Sequence, residues 1–238
     1  SRSLESFREI AAELNDLKSA EFNEKWVVGY GHSSVAEHAV LHLALENISR
    51  LAVETLESNR LASYTEKSTR YQKWDRDAFF VPTELENHLL RKPYIQTCET
   101  LFDTYEICLQ AVSKQFQSSQ EPAENETPVQ FERRIRSQAI DVCRFLLPAA
   151  SLANVGMTIN ARSLEHAIGK LLTHPLQETR QIGEEVKKAA LTSIPTLLKH
   201  TDEIPYLREV QRTFAEIKTG ALEARTEWCQ LCDVDPGA

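Results

Sequence analysis

No run of apolar residues in this chain approaches the eighteen that a bilayer-spanning helix needs. The start, Ser1-Arg2-Ser3-Leu4-Glu5, lacks the apolar stretch of a signal peptide. It also lacks an initiator Met, which fits a processed or excised chain. Several catalytic signatures are missing as well. There is no GxGxxG, no phosphate-loop lysine motif and no GxSxG nucleophile elbow. His32, Glu37 and His38 do not have the HExxH spacing of a zinc helix, so the sequence offers no strong metal pattern. Positive charge is short: 27 Lys and Arg stand against 35 Asp and Glu, a net charge of -8. That balance argues against wrapping a nucleic-acid backbone by bulk attraction, and a small anionic substrate would need a local basic patch. Five cysteines are an odd number in a chain that needs no staples, which points to reduced thiols in a cytoplasm. Cys229 and Cys232 form a lone CxxC without the second pair that a zinc site would want.

What is present suits a folded chain. With 238 residues, 42% hydrophobic and 26% charged, the sequence can bury a sizeable core and is not mostly disordered. Leu4, Phe7, Ile10, Ala11, Leu14 and Leu17 recur at helical spacing over residues 3–25. Gly29-Tyr30-Gly31 breaks that pattern, and Ser33 and Ser34 can cap a short helix carrying Glu37 and His38. Residues 40–49 read with period two, Leu41, Leu43 and Leu45 on one side, with helix as the rival reading. Residues 49–60 are helical in pattern, and Phe79-Phe80-Val81-Pro82 is extended. A long helical pattern over 84–115 is interrupted by Pro93. Residues 117–128 form the one convincing linker. Helices follow over 129–148, from near Asn160 toward Leu172, after Pro175, and from Tyr206 to about Leu231. The expectation is one α+β domain over residues 1–238, with a peripheral helix from about 203.

Two polar constellations stand out. The first runs from Ser58 to Tyr71 and holds Arg60, Glu66, Lys67 and Arg70 among five serine and threonine hydroxyls. Hydroxyls and backbone N–H groups grip phosphate oxygens, and arginine adds a planar fork that fits them. A solvated loop with salt bridges is the plainer reading. The second is Thr158-Ile159-Asn160-Ala161-Arg162-Ser163-Leu164. Asn160 can cap a helix, or it can offer its amide to a flat heterocycle. Arg144 stands in an apolar surrounding, Val142 to Leu147, and needs a partner, either a protein carboxylate or a ligand phosphate.

These segments resemble the flavin-dependent thymidylate synthase family. Gly31-His32-Ser33-Ser34-Val35-Ala36-Glu37-His38 is similar to its GHxSxxEH segment, and Glu46-Asn47-Ile48-Ser49-Arg50 to its "EgvSR" passage. Arg60 to Tyr71 resembles the later part of the RHR-x7-S signature. Arg144 to Pro148 is similar to R-x-V-L-P, and Asn160 to Leu164 to N-x-R-S-L. Order and spacing hold over about residues 29–190. The resemblance implies a helix-rich α+β fold with an antiparallel sheet and surrounding helices, assembled as a homotetramer with sites between subunits. It implies FAD held by His32, Asn59, Arg60, Glu66, Asn160 and Arg162. It implies dUMP held by Thr55, Glu66, Ser68, Thr69, Arg70 and Arg144, with Ser68, Arg70, Arg144 and Lys170 in the catalytic set. The implied reaction is reductive methylation of dUMP to dTMP with methylenetetrahydrofolate and NADPH.

The chain departs from the family at three points. Ser58-Asn59-Arg60 stands where the signature has Arg-His-Arg, and Thr55 replaces a glutamine. Leu171 falls where the family carries a uracil-facing arginine, with Lys170 beside it and Arg180 one turn on as a rival substitute. These departures raise the alternative of a relative that binds or modifies another pyrimidine nucleotide, or that is catalytically inactive. A third alternative is a scaffold that keeps the fold and holds no ligand.

Overall fold

In the computed structural model, which describes residues 21, 25, 33–71, 74–198 and 201–217, the alternation seen over 40–49 is a strand, β1 (Val40–Ser49). Leu41 and Leu45 are buried, and His42 and Ala44 face outward, as period two requires. Between Leu45 and Ile48 the register slips: Leu45 pairs with Val155 but Ile48 with Ala153. Two residues, Glu46 and Asn47, therefore oppose the single Asn154, which is a β-bulge. Asn47 takes φ 57, a conformation asparagine tolerates, and its N–H donates to Asn154 Oδ1 at 2.8 Å. The extra residue turns Ile48 into the core and delivers Ser49 to the start of the next helix.

That helix is α1 (Arg50–Glu57), capped by Ser49, whose Oγ accepts from Ala52 N at 3.0 Å. The Ser49 N–H and hydroxyl in turn donate to the buried Glu178 carboxylate at 2.7 and 2.6 Å. The polar segment after α1 is not simply a loop. Its residues Ala62–Glu66 form β2, pairing antiparallel with β3 (Leu152–Asn160). The sheet order is β1-β3-β2, all antiparallel. The central strand lacks a strong hydrophobic run because it alternates: Ala153, Val155, Met157 and Ile159 are buried, and Asn154, Gly156, Thr158 and Asn160 are not.

Helices cover the inner face. α2 (Arg91–Ser119) contains Pro93 in its first turn, where a missing N–H costs no hydrogen bond, so the proline does not interrupt the helix. α3 (Pro128–Cys143) begins with a Thr127–Gln130 capping box. The linker between them is shorter than the sequence suggested, 120–127, and it is pinned: Arg134 donates to Glu126 and to Gln120 Oε1. α4 (Ala161–Leu172) buries Leu164, Ala167, Ile168, Leu171 and Leu172. α5 (Gln177–Leu191) lies on α4 so closely that a Cβ on Gly183 would sit 2.9 Å from Leu171 Cβ. α6 (Pro205–Glu216) has no buried residue. The main core joins the sheet to α1, α4 and α5, and a smaller cluster of Phe79, Cys98 and Phe102 packs under Trp74 and Tyr94. Among the described residues no helix is long and apolar enough to cross a membrane. Apart from Glu21 and Lys25, the helix expected over 3–25 lies outside the described residues, as do Gly29 to His32 and the pair Cys229 and Cys232.

Candidate functional site

The sheet presents a cleft at each end. The first, about 620 Å³, lies where β1 ends, β2 ends and β3 begins. Arg50, Glu66, Ser68, Thr69, Trp74 and Arg144 line it. Arg50, the first residue of α1, pairs with Glu66, the last residue of β2. The Trp74 indole N–H is buried and has no acceptor among the described residues. Phe145 is 82% exposed beside this cleft, and the Arg144 guanidinium sits 5.8 Å from its ring centroid.

Arg70 is not in the lining. Its guanidinium is turned to α3, where Nε and Nη2 donate to Asp141 Oδ1 and Oδ2 at 2.9 and 2.6 Å. Arg144 Nη1 lies 3.4 Å from the same Oδ1. Of the two partners expected for Arg144, the protein carboxylate is therefore present. The two arginines meet at one acid although 74 residues separate them. Hydrogen bonds from Arg70, then the charges of Arg70 and Arg144, hold the Asp141 carboxyl below its ordinary range.

The second cleft, about 1100 Å³, lies where β2 begins and β3 ends. Ser58, Asn59, Arg60, Asn160, Arg162 and Lys170 line it. Tyr64, on β2, donates its hydroxyl to Leu56 O and Asn59 O at 3.0 and 2.9 Å, which fixes the Ser58–Arg60 turn. Burial pushes that phenol up to about 12. Asn160 is the α4 cap: its Oδ1 accepts from Ser163 N at 2.9 Å, the plainer of the two readings. Arg162 pairs with Glu37, which joins the 3-10 helix Ser33–His38 to α4. Lys170 Nζ reaches Ser58 Oγ at 3.3 Å.

The structure thus gathers Asn59, Arg60, Asn160 and Arg162 in one cleft, with Lys170. It gathers Ser68, Thr69 and Arg144 in the other, with Arg70 outside the lining and paired to Asp141. Glu66, expected in both the cofactor and the substrate sets, stands in the first cleft with the substrate residues and apart from the other cofactor residues. Thr55 lines neither cleft, and its hydroxyl lies 3.5 Å from His174 Nε2. Burial, then the charge of Arg180, lowers the His174 pKa. His32 lies outside the described residues. Leu171 is 1% exposed in the core, and Arg180 spends Nη1 on the carbonyls of His174 and Pro175, both at 2.7 Å. Sequence reasoning missed Arg50, Trp74 and Asp141. The spacing of Asp141 three residues before Arg144 was the available signal.

The clefts fit anionic and heterocyclic groups. In the second, Arg60 carries no ion pair among the described residues, and Lys170 faces a hydroxyl rather than a carboxylate. The Asn59 amide donates to Leu56 O at 2.9 Å, but its Oδ1 is buried without a partner. That orphaned acceptor, two cations with no carboxylate partner among the described residues, and the volume suit a large phosphorylated ring system.

The family model for thymidylate synthase complementing protein matches residues 2–196. A UPF0159 protein of Chlamydia pneumoniae is 33% identical over 225 residues, covering 90% of this chain and 42% of that protein. A flavin-dependent thymidylate synthase of Clostridium tetani is 25% identical over 195 residues, covering 81% of this chain and 74% of that one. The chain spans less than half the length of the Chlamydia relative. In fold it is similar to the Helicobacter pylori flavin-dependent thymidylate synthase solved with FAD and dUMP, at a TM-score of 0.55 and 18% identity. That alignment covers 82% of this chain and 90% of the other. With the motif residues placed in two clefts of that fold, the chain belongs to the thymidylate synthase complementing protein family.

Proposed function

We propose that the chain acts as a flavin-dependent thymidylate synthase, converting dUMP to dTMP with FAD, NADPH and methylenetetrahydrofolate. The observation that carries this reading is the division of the motif residues between two clefts of different character. The first offers hydroxyls and an arginine suited to a phosphate, and the second offers amides and cations suited to a larger cofactor. Ser68, Thr69 and Arg144 hold the nucleotide phosphate, and Glu66, oriented by Arg50, accepts from the sugar. Asn59, Arg60, Asn160 and Arg162 hold the cofactor, with His32 completing the set. When bound, the flavin supplies the hydride chemistry. The protein supplies position, charge and exclusion of water. Among the described cysteines, Cys98 and Cys143 are buried and their thiols pushed up by burial, the setting of inert thiols rather than nucleophiles.

The two clefts lie at opposite ends of the strands. Five residues of β2 separate them by on the order of 15 Å. One subunit therefore offers two half-sites, and a complete site pairs the first cleft of one subunit with the second of another. A cytoplasmic homotetramer meets that need. The test is turnover of the purified protein with FAD, NADPH, methylenetetrahydrofolate and dUMP. Formation of dTMP is expected, and bound FAD and dUMP without dTMP would sink the proposal. One observation favours a second reading. Leu171 stands buried where the resemblance places the arginine that would polarise the uracil, a loss of roughly 3–4 kcal/mol of transition-state stabilisation if nothing replaces it. A relative that binds or modifies another pyrimidine nucleotide would be yellow as purified, hold uridylate and transfer no methyl group.

A further inference from the structure

We propose that Asp141 is a positioning residue: one carboxylate, gripped by Arg70 and Arg144 together, presets Arg144 for a phosphorylated pyrimidine in the first cleft. The proposal rests on reading that cleft as the nucleotide site.

Three elements converge on the carboxylate. Arg70 comes from the 3-10 turn Thr69–Tyr71, Asp141 from the last turn of α3, and Arg144 from the 3-10 turn Arg144–Leu146. Arg70 makes the planar two-bond fork, with lengths of 2.9 and 2.6 Å. Arg144 Nη1 lies 3.4 Å from Oδ1, a looser contact, and Arg144 lines the cleft. Two guanidinium groups near one another repel, and a carboxylate that contacts both offsets the repulsion. The trio keeps one net positive charge beside the cleft. Arg70 acts as the anchor, because its fork fixes the orientation of the acid that Arg144 leans on. A phosphate dianion then meets an arginine already ordered, which lowers the entropy lost on binding. Ser68 and Thr69 line the same cleft.

The experiment titrates dUMP and deoxyuridine into the full chain and its Asp141→Asn variant by calorimetry. The variant should bind dUMP about tenfold or more weakly, while deoxyuridine, which lacks the phosphate, changes by less than about twofold. In turnover, KM for dUMP should rise with kcat nearly unchanged. Asp141→Glu, which keeps the charge one methylene further out, should lose less, and again only toward dUMP. If Asp141→Asn does not fold, the same two ligands are read on Asp141→Glu. A loss confined to dUMP supports the proposal. An equal loss toward both ligands, or no loss, overturns it. A wild-type chain that binds no dUMP overturns the nucleotide reading and this proposal with it.

Discussion

Lys170 Nζ lies 3.3 Å from Ser58 Oγ, across 112 residues of sequence. The pair sits where the family pattern places arginine in the signature and where the next residue, Leu171, is lost to the core. A single ammonium thus stands near both substitutions. Lys170→Ala should weaken FAD binding by about 1 kcal/mol, roughly fivefold in Kd, because a partly exposed cation contributes modestly. Lys170→Arg should retain most of the affinity. Quenching of flavin fluorescence on titration measures both.

Restoring the family residue at 171 should fail. Leu171 is 1% exposed and its Cβ faces the bare Cα of Gly183. Leu171→Arg would bury a charge with no carboxylate prepared for it. A destabilisation on the order of 3–5 kcal/mol is expected, read as a fall in the urea midpoint. A stable Leu171→Arg protein with raised turnover would show that the helix can rotate its face outward.

The Glu178–Ser49 joint holds the end of β1, the start of α1 and the start of α5 together. Glu178→Ala would leave the buried Ser49 N–H without an acceptor. The cost should be about 2–3 kcal/mol by chemical denaturation. Glu178→Gln, which still accepts one bond, should cost less.

Acid should loosen the turn between α2 and α3. The Arg134 guanidinium, then the Ala123 N–H, lower the Glu126 carboxyl from its ordinary 4.5 to about 2. The folded state therefore binds this proton less readily than the unfolded chain. The stabilisation is present above the unfolded value and is lost as pH falls through the folded one. Glu126→Gln should flatten the fall of the urea midpoint between about pH 5 and pH 2. Its midpoint at neutral pH should lie below that of the wild type.

The parts of the fold with a strong local period were legible. β1 declared itself through Leu41, Leu43 and Leu45, and α4 through a cap at Asn160 and apolar residues on one face. β3 did not, because Ala153 and Gly156 dilute its hydrophobic signal and its outward residues are polar. Pro93 read as an interruption because only the true helix start shows that it lies in a first turn. β2 hid among hydroxyls, since a strand with one wet face needs few apolar residues. The site divided in the same way. Arg60, Arg144, Asn160 and Arg162 were visible as residue types in motifs. The clamp at Asp141 was not, because its other arm comes from Arg70, 71 residues away. Arg50 and Glu66 likewise meet only when β1 and β2 flank β3. That each cleft occupies a different end of the sheet is a property of strand direction, which no local pattern encodes.

The extra residue at Asn47 reverses the parity of β1 midway along its length. Without it, Ile48 would turn to water, Ser49 would swing from its acid partner, and Arg50 would leave Glu66. A single-residue deletion there would act as a frameshift in space, leaving the first half of the strand in place and disconnecting the second half from the first cleft.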